Sequence, residues 1–586
     1  MNRESFQFLE KKIIIRSDGR ICETPEELLS SALFREIVKK GVAKLTRRNS
    51  FLLDVFGRKE IQDEDIDVLI QTFKFLTKMP GHLVPNVVNG AEVFLNDPHL
   101  LNEFVEYLYN YWRGYDRFII CDSSGSDLDK RPYRTFHGTV EHLSGLIRGV
   151  YRDTQEHIIS SHPRIYRQVS AGAEAATISK SQAIPFPPGA YYDQLNAIPV
   201  IRQILLYPPL ILNPPMNKRS GKFQRIGKNP LEFIEIDKDQ WLCYPAKVGE
   251  LLVLIYFHHK FLELGLSLCN LFKLAEDPEL ERRPDAVYVC GVPGNALDQF
   301  GNFPTVFYDD ERNNLLVAAI PNRDDFGYFG YLKKMALTLH NIIMMKRGRL
   351  PFHGALVKIV LKGGHAAAIL FIGDTGAGKS ETLEALRQLA EDQIQDISII
   401  ADDMGSLDLD ADGHVIGYGT EIGAFLRLDD LQPGYALGQI DRAIIMSPNQ
   451  VNARIILPVT TYENVIKGHR IDFILYANNY DDIDDDHAII ERFSSAEAAW
   501  NVFREGTVMS KGTTTTTGLV HSYFANIFGP PQYKELHDPL ARKFFDAFYR
   551  RGIFVGQMRT RLGLSGRERT GPEEAAQELL KLMKAG

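Results

Sequence analysis

Apolar residues recur at intervals of three and four from Glu26 to Lys44 and again from Asp63 to Lys78, the spacing that lines one face of a helix. From Pro25 to about Trp112 the chain therefore reads as mostly helical. Between Tyr115 and Phe233 the pattern is mixed, and the prolines from Pro185 to Pro215 interrupt regular elements. Leu251 to Phe272 is apolar almost throughout and predicts a buried helix. Ala286 to Cys290, Thr305 to Tyr308 and Leu315 to Ile320 are short apolar runs and predict strands, with a further helix over Tyr331 to Met345. Beyond Phe352 strand and helix patterns alternate. Short apolar runs at Ala355 to Leu361, Ala367 to Ile372 and Ser398 to Ala401 predict an α/β lobe built around a sheet.

Composition narrows the class. The 586 residues are 44% hydrophobic and 24% charged, the balance of an ordinary folded protein rather than a disordered or fibrous one. A net charge of −8, from 67 basic and 75 acidic residues, gives no general attraction to nucleic acid or an anionic membrane. No stretch is apolar for the 18 or so residues of a spanning helix, and Met1 to Arg16 lacks the apolar core of a signal peptide, so a cytoplasmic protein with no membrane partner is expected. The five cysteines are widely scattered and odd in number, which supports buried free thiols rather than a disulfide framework.

The sharpest local signal is Gly373-Asp374-Thr375-Gly376-Ala377-Gly378-Lys379-Ser380, which fits G-x-x-x-x-G-K-[ST] between an apolar run and the helical run Glu381 to Leu389. Glycines let backbone N–H groups converge on phosphate oxygens, the following helix presents its positive end, Lys379 neutralises the outer phosphates and Ser380 holds a divalent cation. Asp402-Asp403 follows the apolar Ile399-Ile400-Ala401, where carboxylates at a strand end can bind metal or accept a proton. Asp408, Asp410, Asp412 and Gly413 imitate the start of a calcium loop, but its twelfth position is Gly419 rather than Glu, so a hairpin turn is expected.

Two further stretches narrow the reading. Tyr328-Phe329-Gly330-Tyr331-Leu332-Lys333-Lys334 resembles the Y-x-G-E-M-K-K segment of phosphoenolpyruvate carboxykinases, and His353 follows Lys334 by 19 positions, as that family's metal-binding histidine does. Glu421 to Arg427 is similar to E-G-G-C-Y-A-K, with Arg427 in place of the lysine. Asn452-Ala453-Arg454 with Pro458 resembles N-T-R-x-x-x-P, whose arginine approaches the transferred phosphate, and Ser510-Lys511-Gly512-Thr513 resembles the A-G-T-E region near the nucleotide base. His353-Gly354, Gly378-Lys379-Ser380-Glu381-Thr382 and Ala401-Asp402-Asp403 also look like HPr kinase/phosphorylase, a sister family that phosphorylates a protein serine.

Some positions depart from the pattern. Of the carboxykinase substrate motif G-R-S-P-K-D-K only R-S-x-K survives, at Arg219-Ser220-Gly221-Lys222. The glutamate of Y-x-G-E is replaced by Tyr331, and the family's reactive cysteine has no counterpart near Phe524. The aromatic-rich loop of the GTP-using branch has no match either, which points to ATP.

The resemblance implies a two-lobed α/β fold preceded by an extra helical segment, with ranges 1–114, 115–345 and 346–586. It implies ATP, Mg2+ and Mn2+ as cofactors and oxaloacetate or phosphoenolpyruvate as small-molecule substrate. Lys334, His353 and Asp403 would hold the transition metal, with Ser380 on the nucleotide's cation. Gly373 to Glu381, with Gly512 and Thr513, would hold the nucleotide. Lys333, Lys379, Arg427 and Arg454 would clamp the migrating phosphoryl and Arg219 the substrate carboxylate; in a kinase of the same superfamily Asp402 or Asp403 would serve as base. Two alternatives stay open: a kinase acting on a protein serine or small hydroxyl compound, and a nucleotide-sensing regulator whose helical N-terminal segment binds a protein partner.

Overall fold

The computed structural model describes residues 5–17, 21–123, 130–162, 164–389, 393–431, 438–485, 487–511 and 517–585. The chain is mixed α/β, as its alternating patterns predict. Among the described residues no helix is long and apolar enough to cross a membrane. The chain clusters into two compact units, Met1–Ser181 with Ile201–Leu210, and Gln182–Val200 with Ile211–Gly586.

The first unit opens on an antiparallel hairpin, Ser5–Leu9 and Lys12–Ser17, so residues 1–114 are not wholly helical as the sequence suggests. Lys12–Ser17 runs parallel to Asp116–Asp122, which runs parallel to Ala175–Lys180. The continuous periodicity from Glu26 to Lys44 resolves into two helices, Pro25–Ser30 and Ala32–Arg47. Ser31 explains the break: its extended backbone ends the first helix, and its hydroxyl accepts from Phe34 N to cap the second. Asp63–Leu76 starts on a capping box and three acidic residues, Pro98–Arg113 on Asp97. Their apolar faces close over Val38, Leu69, Phe73, Leu101 and Phe104.

In the second unit, Trp241–Val248, Leu251–His258, Ala286–Val292, Leu315–Pro321, Val306–Asp310 and Gln224–Ile226 lie side by side in one sheet. The helix predicted over Leu251 to Phe272 is therefore a strand, Leu251–His258, followed by short helical turns. The strand is buried on both faces, so no polar alternation marks it, and a continuous apolar run reads equally well as a buried helix.

The helix Phe329–Lys346 contacts Trp241–Val248 and Ala286–Val292 of this sheet as well as Leu350–Leu361 and Met404–Leu409 of the next. It is buried on nearly every side, as a helix without a polar face must be. In the second sheet the long strand Leu350–Leu361 changes partners along its length. Its first residues pair with Met404–Leu409, its later ones with Ala366–Ile372 and Ile394–Ala401. Phe473–Asn478 and Phe554–Arg559 extend the sheet in parallel beyond Ala366–Ile372. The expected hairpin turn joins Met404–Leu409 to Val415–Gly419, with Asp410 Oδ1 accepting from Asp412 N and His414 N. None of the five cysteines forms a disulfide.

Candidate functional site

The point at which Leu350–Leu361 changes partners gathers the predicted residues. His353 stands opposite Met404, its carbonyl accepts from Gly373 N at 3.3 Å, and Gly354 N donates to Asp403 O at 2.8 Å. The start of the glycine-rich loop, the histidine and the acidic pair thus meet through backbone hydrogen bonds.

The loop runs from the end of Ala366–Ile372 to the start of helix Lys379–Leu389. Gly376 and Gly378 have φ of +79° and +94°, and a Cβ on Gly378 would lie 2.5 Å from Thr560 Oγ1, so only glycine fits there. Thr560 Oγ1 donates to Ala377 O at 2.7 Å, and Asn479 Nδ2 to Gly376 O at 2.9 Å, which fixes the loop from outside. Lys379 is buried, and its ammonium donates back to Gly373 O and Asp374 O at 2.5 and 3.0 Å. Burial lowers its pKa against the opposing pull of Asp403 and Asp374. Ser380 is exposed in the first turn, Thr375 is exposed and Glu381 partly so. Gly512 and Thr513 lie outside the described residues.

His353 is 3% exposed and bonded through both ring nitrogens. Nδ1 faces the carbonyl of Ala525, so it must carry a hydrogen; Nε2 lies 3.0 Å from Asp403 Oδ1. A neutral imidazole with its hydrogen on Nδ1 would present a lone pair to a carboxylate, two acceptors face to face. A proton or a metal cation must lie between them. Donation from the other ring nitrogen to a backbone carbonyl is also how metal-ligating histidines are oriented. The residues present therefore fit the implied metal.

Lys334 packs on the same Phe528 ring as His353 and feels the charge of Asp403. Burial lowers its pKa to about 8, opposed by Asp403 and assisted by Arg219 and Lys333, which brings the neutral amine needed for ligation within reach of physiological pH. Lys333, 2% exposed, holds Asp403 Oδ2 at 2.9 Å and stands 3.3 Å from Glu421 Oε1. Burial pulls its pKa down, yet Asp403, Glu421 and Asp402 outweigh that and raise it, so this lysine keeps its charge. Asp403 is held well below the usual carboxylate range: burial pushes it up, and Lys333 and His353 more than reverse this. Asp402 goes the other way, raised by burial and by Asp403 against Lys333 and Lys379.

Glu421 was legible only as the first residue of a motif, and its role was not. It is 1% exposed, and among the described residues its nearest charged partner is Lys333, 3.3 Å from Oε1. Burial, with Asp403 and Asp402 nearby, raises its pKa to about 8 despite Lys333. Three carboxylates thus share Lys333, and the surplus negative charge favours either a retained proton or an added cation.

Arg219 reaches this centre across Phe528. Its guanidinium lies 4.8 Å from the Phe223 ring and 5.7 Å from the Phe528 ring, while Lys334 Nζ sits 4.7 Å from the same Phe528 ring and His353 6.1 Å from it. Tyr331, which replaces the motif glutamate, clamps the segment: its hydroxyl accepts from Ser220 N at 2.9 Å and donates to Ser220 O at 2.8 Å. Arg427 and Arg454 face each other across the antiparallel strands Gly423–Arg427 and Arg454–Pro458. Arg454 lies 5.3 Å from the Phe425 ring, which packs on Phe329 at the start of the lysine-bearing helix. Arg427 also bonds Asp429 at 3.2 Å. Two like charges directly opposite repel, so the pairing suits a site that takes an anion.

Phe524, Ala525 and Asn526 are consecutively left-handed, with φ of 44°, 56° and 61°, a conformation costing about 1–2 kcal/mol per residue. The turn delivers the carbonyl that orients His353, and Asn526 Nδ2 reaches Asp374 Oδ1 at 3.5 Å. Strain of this kind persists where the surroundings enforce it, commonly at functional sites. No protein-family model and no curated protein matches the chain.

Proposed function

We propose that the chain is an ATP- and metal-dependent phosphotransferase with the two-lobed fold of the phosphoenolpyruvate carboxykinases, converting oxaloacetate and ATP to phosphoenolpyruvate, CO2 and ADP. The observation that carries this reading is the opposition of His353 Nε2 and Asp403 Oδ1, 3.0 Å apart beside the pKa-lowered Lys334 and next to the glycine-rich loop. A kinase needs the loop; an imidazole–carboxylate–amine set beside it, the histidine buried and the other two half-buried, is the added requirement of enolate chemistry.

Lys334, His353 and Asp403 would hold the transition metal, Mn2+ suiting such mixed nitrogen and oxygen donors, and Ser380 the nucleotide's Mg2+. When bound, the transition metal supplies Lewis acidity that favours the enolate left as CO2 departs. The chain's own groups do the rest. Lys379 leaves the loop carbonyls to meet the β- and γ-phosphates, and the helix N-terminus adds backbone N–H groups. Arg219 takes a substrate carboxylate, with Phe528 as an apolar wall that limits water. Arg427 and Arg454 neutralise charge spread over the phosphoryl oxygens as it passes to the enolate oxygen, while Lys333 keeps Asp403 ionised.

Asp402 supports a second reading. Its raised pKa beside Lys379 gives it the proton affinity of a base that could take a hydroxyl proton, as in an HPr kinase-like enzyme. The two readings separate on products: phosphoenolpyruvate formed from oxaloacetate only when ATP and Mn2+ are both present supports the first, and ATP-dependent phosphorylation of a serine or small hydroxyl compound with oxaloacetate unchanged supports the second.

A further inference from the structure

We propose that the first unit contains a binding site for the tail of an alkyl chain, separate from the residues assigned above, all of which belong to the second unit. Between the helices lies a cavity of about 140 Å³ whose wall is almost wholly apolar, with Leu29, Ile37, Phe73, Val105, Leu108 and Ile147 among its lining. Protein interiors leave few voids larger than one water molecule. This one matches the size of the roughly 150 Å³ apolar cavities that stay dry and accept a six-carbon ring.

Three of the polar side chains in the wall, Ser31, Trp112 and Tyr151, are already bonded elsewhere and so offer a water little. Ser31 Oγ donates to Leu28 O and accepts from Phe34 N, Trp112 Nε1 donates to Ala171 O at 2.6 Å, and the Tyr151 hydroxyl donates to Glu106. A buried water needs two to four polar partners, and these groups are already spent. Tyr109 and Tyr151 stack at 4.0 Å and are both partly exposed, so the aromatic pair forms the solvent-facing margin. Such a margin, apolar inside and hydroxyl-tipped outside, suits an alkyl chain that enters tail first and leaves a polar end in water.

Trp112 lines the cavity and is one of only three tryptophans in the chain, the others being Trp241 and Trp500 of the second unit. The test is fluorescence quenching of the full chain by 8-bromo-1-octanol. The expected result is saturable quenching, reversed by 1-octanol, not reproduced by 3-bromo-1-propanol, and lost in Trp112→Phe. Val105→Phe fills the cavity and should weaken the apparent affinity at least tenfold. Ile147→Phe fills it from another wall and serves if the first variant fails to fold, as judged by circular dichroism. Quenching that rises linearly without saturation, or that survives Trp112→Phe unchanged, overturns the proposal. So does an affinity unaltered in the folded filling variants.

Discussion

Alanine at Gly378 and alanine at Gly376 should differ sharply, although both lie in the same loop at positive φ. At Gly376 the added Cβ meets nothing within 4 Å among the described residues, so the cost is conformational, about 1–2 kcal/mol. At Gly378 the same penalty applies, and the Cβ would sit 2.5 Å from Thr560 Oγ1 and 2.6 Å from its Cβ, so Thr560 must move. Moving it breaks the hydroxyl bond to Ala377 O, worth about 1 kcal/mol, and leaves a buried acceptor without it. The total is about 2–4 kcal/mol, stored in the loop that must be restored when phosphate binds. Calorimetric titration with ATP and Mg2+ should show Gly378→Ala weakened by roughly thirty- to a thousandfold and Gly376→Ala by no more than about thirtyfold, at 1.4 kcal/mol per factor of ten. Equal affinities in the two variants would refute the role given to Thr560, and parent-like affinity in both would remove the loop from the phosphate site.

Further outcomes follow from the buried charges. Glu421 keeps its proton in the folded chain up to about pH 8 but releases it near its ordinary value of 4.5 when unfolded, so stability falls as pH rises between these values. Glu421→Gln abolishes that loss and should gain on the parent between pH 5 and pH 8, on the order of 3 kcal/mol, in urea denaturation; a difference independent of pH would show the carboxyl to be ionised throughout. His353→Ala should weaken Mn2+ binding at least about tenfold in calorimetry while leaving ATP affinity nearly intact, and unchanged Mn2+ affinity would make His353 structural. Arg454→Ala should lower turnover on the order of a hundredfold with little change in ATP affinity, because a donor aimed at the migrating phosphoryl acts in the transition state; a loss confined to ATP affinity would place it on the bound nucleotide instead.

Local pattern made the strands after Ala286, the helix Phe329–Lys346 and the glycine-rich loop legible, because each depends on neighbours a few residues apart. Leu251–His258 was misread because burial on both faces erases the alternation that distinguishes strand from helix. His353, Lys333-Lys334 and Asp402-Asp403 stood out by spacing. Their partners did not: Ala525 is 172 positions from His353, and Ser220 is 111 from Tyr331. Nothing near Phe524 announces a left-handed turn, since no glycine or asparagine precedes Asn526 within it. The burial of Glu421 depends on residues distant in the chain and has no sequence signature at all.

The most direct measurement follows the γ-phosphoryl group by 31P NMR in a mixture of the full chain, ATP, Mg2+, Mn2+ and oxaloacetate. Loss of the γ-phosphate signal matched one for one by the phosphoenolpyruvate resonance, and absent without Mn2+, is the predicted result. Oxaloacetate left untouched while the phosphoryl group appears on a serine or small hydroxyl acceptor would contradict the carboxykinase chemistry proposed for His353, Asp403 and Lys334.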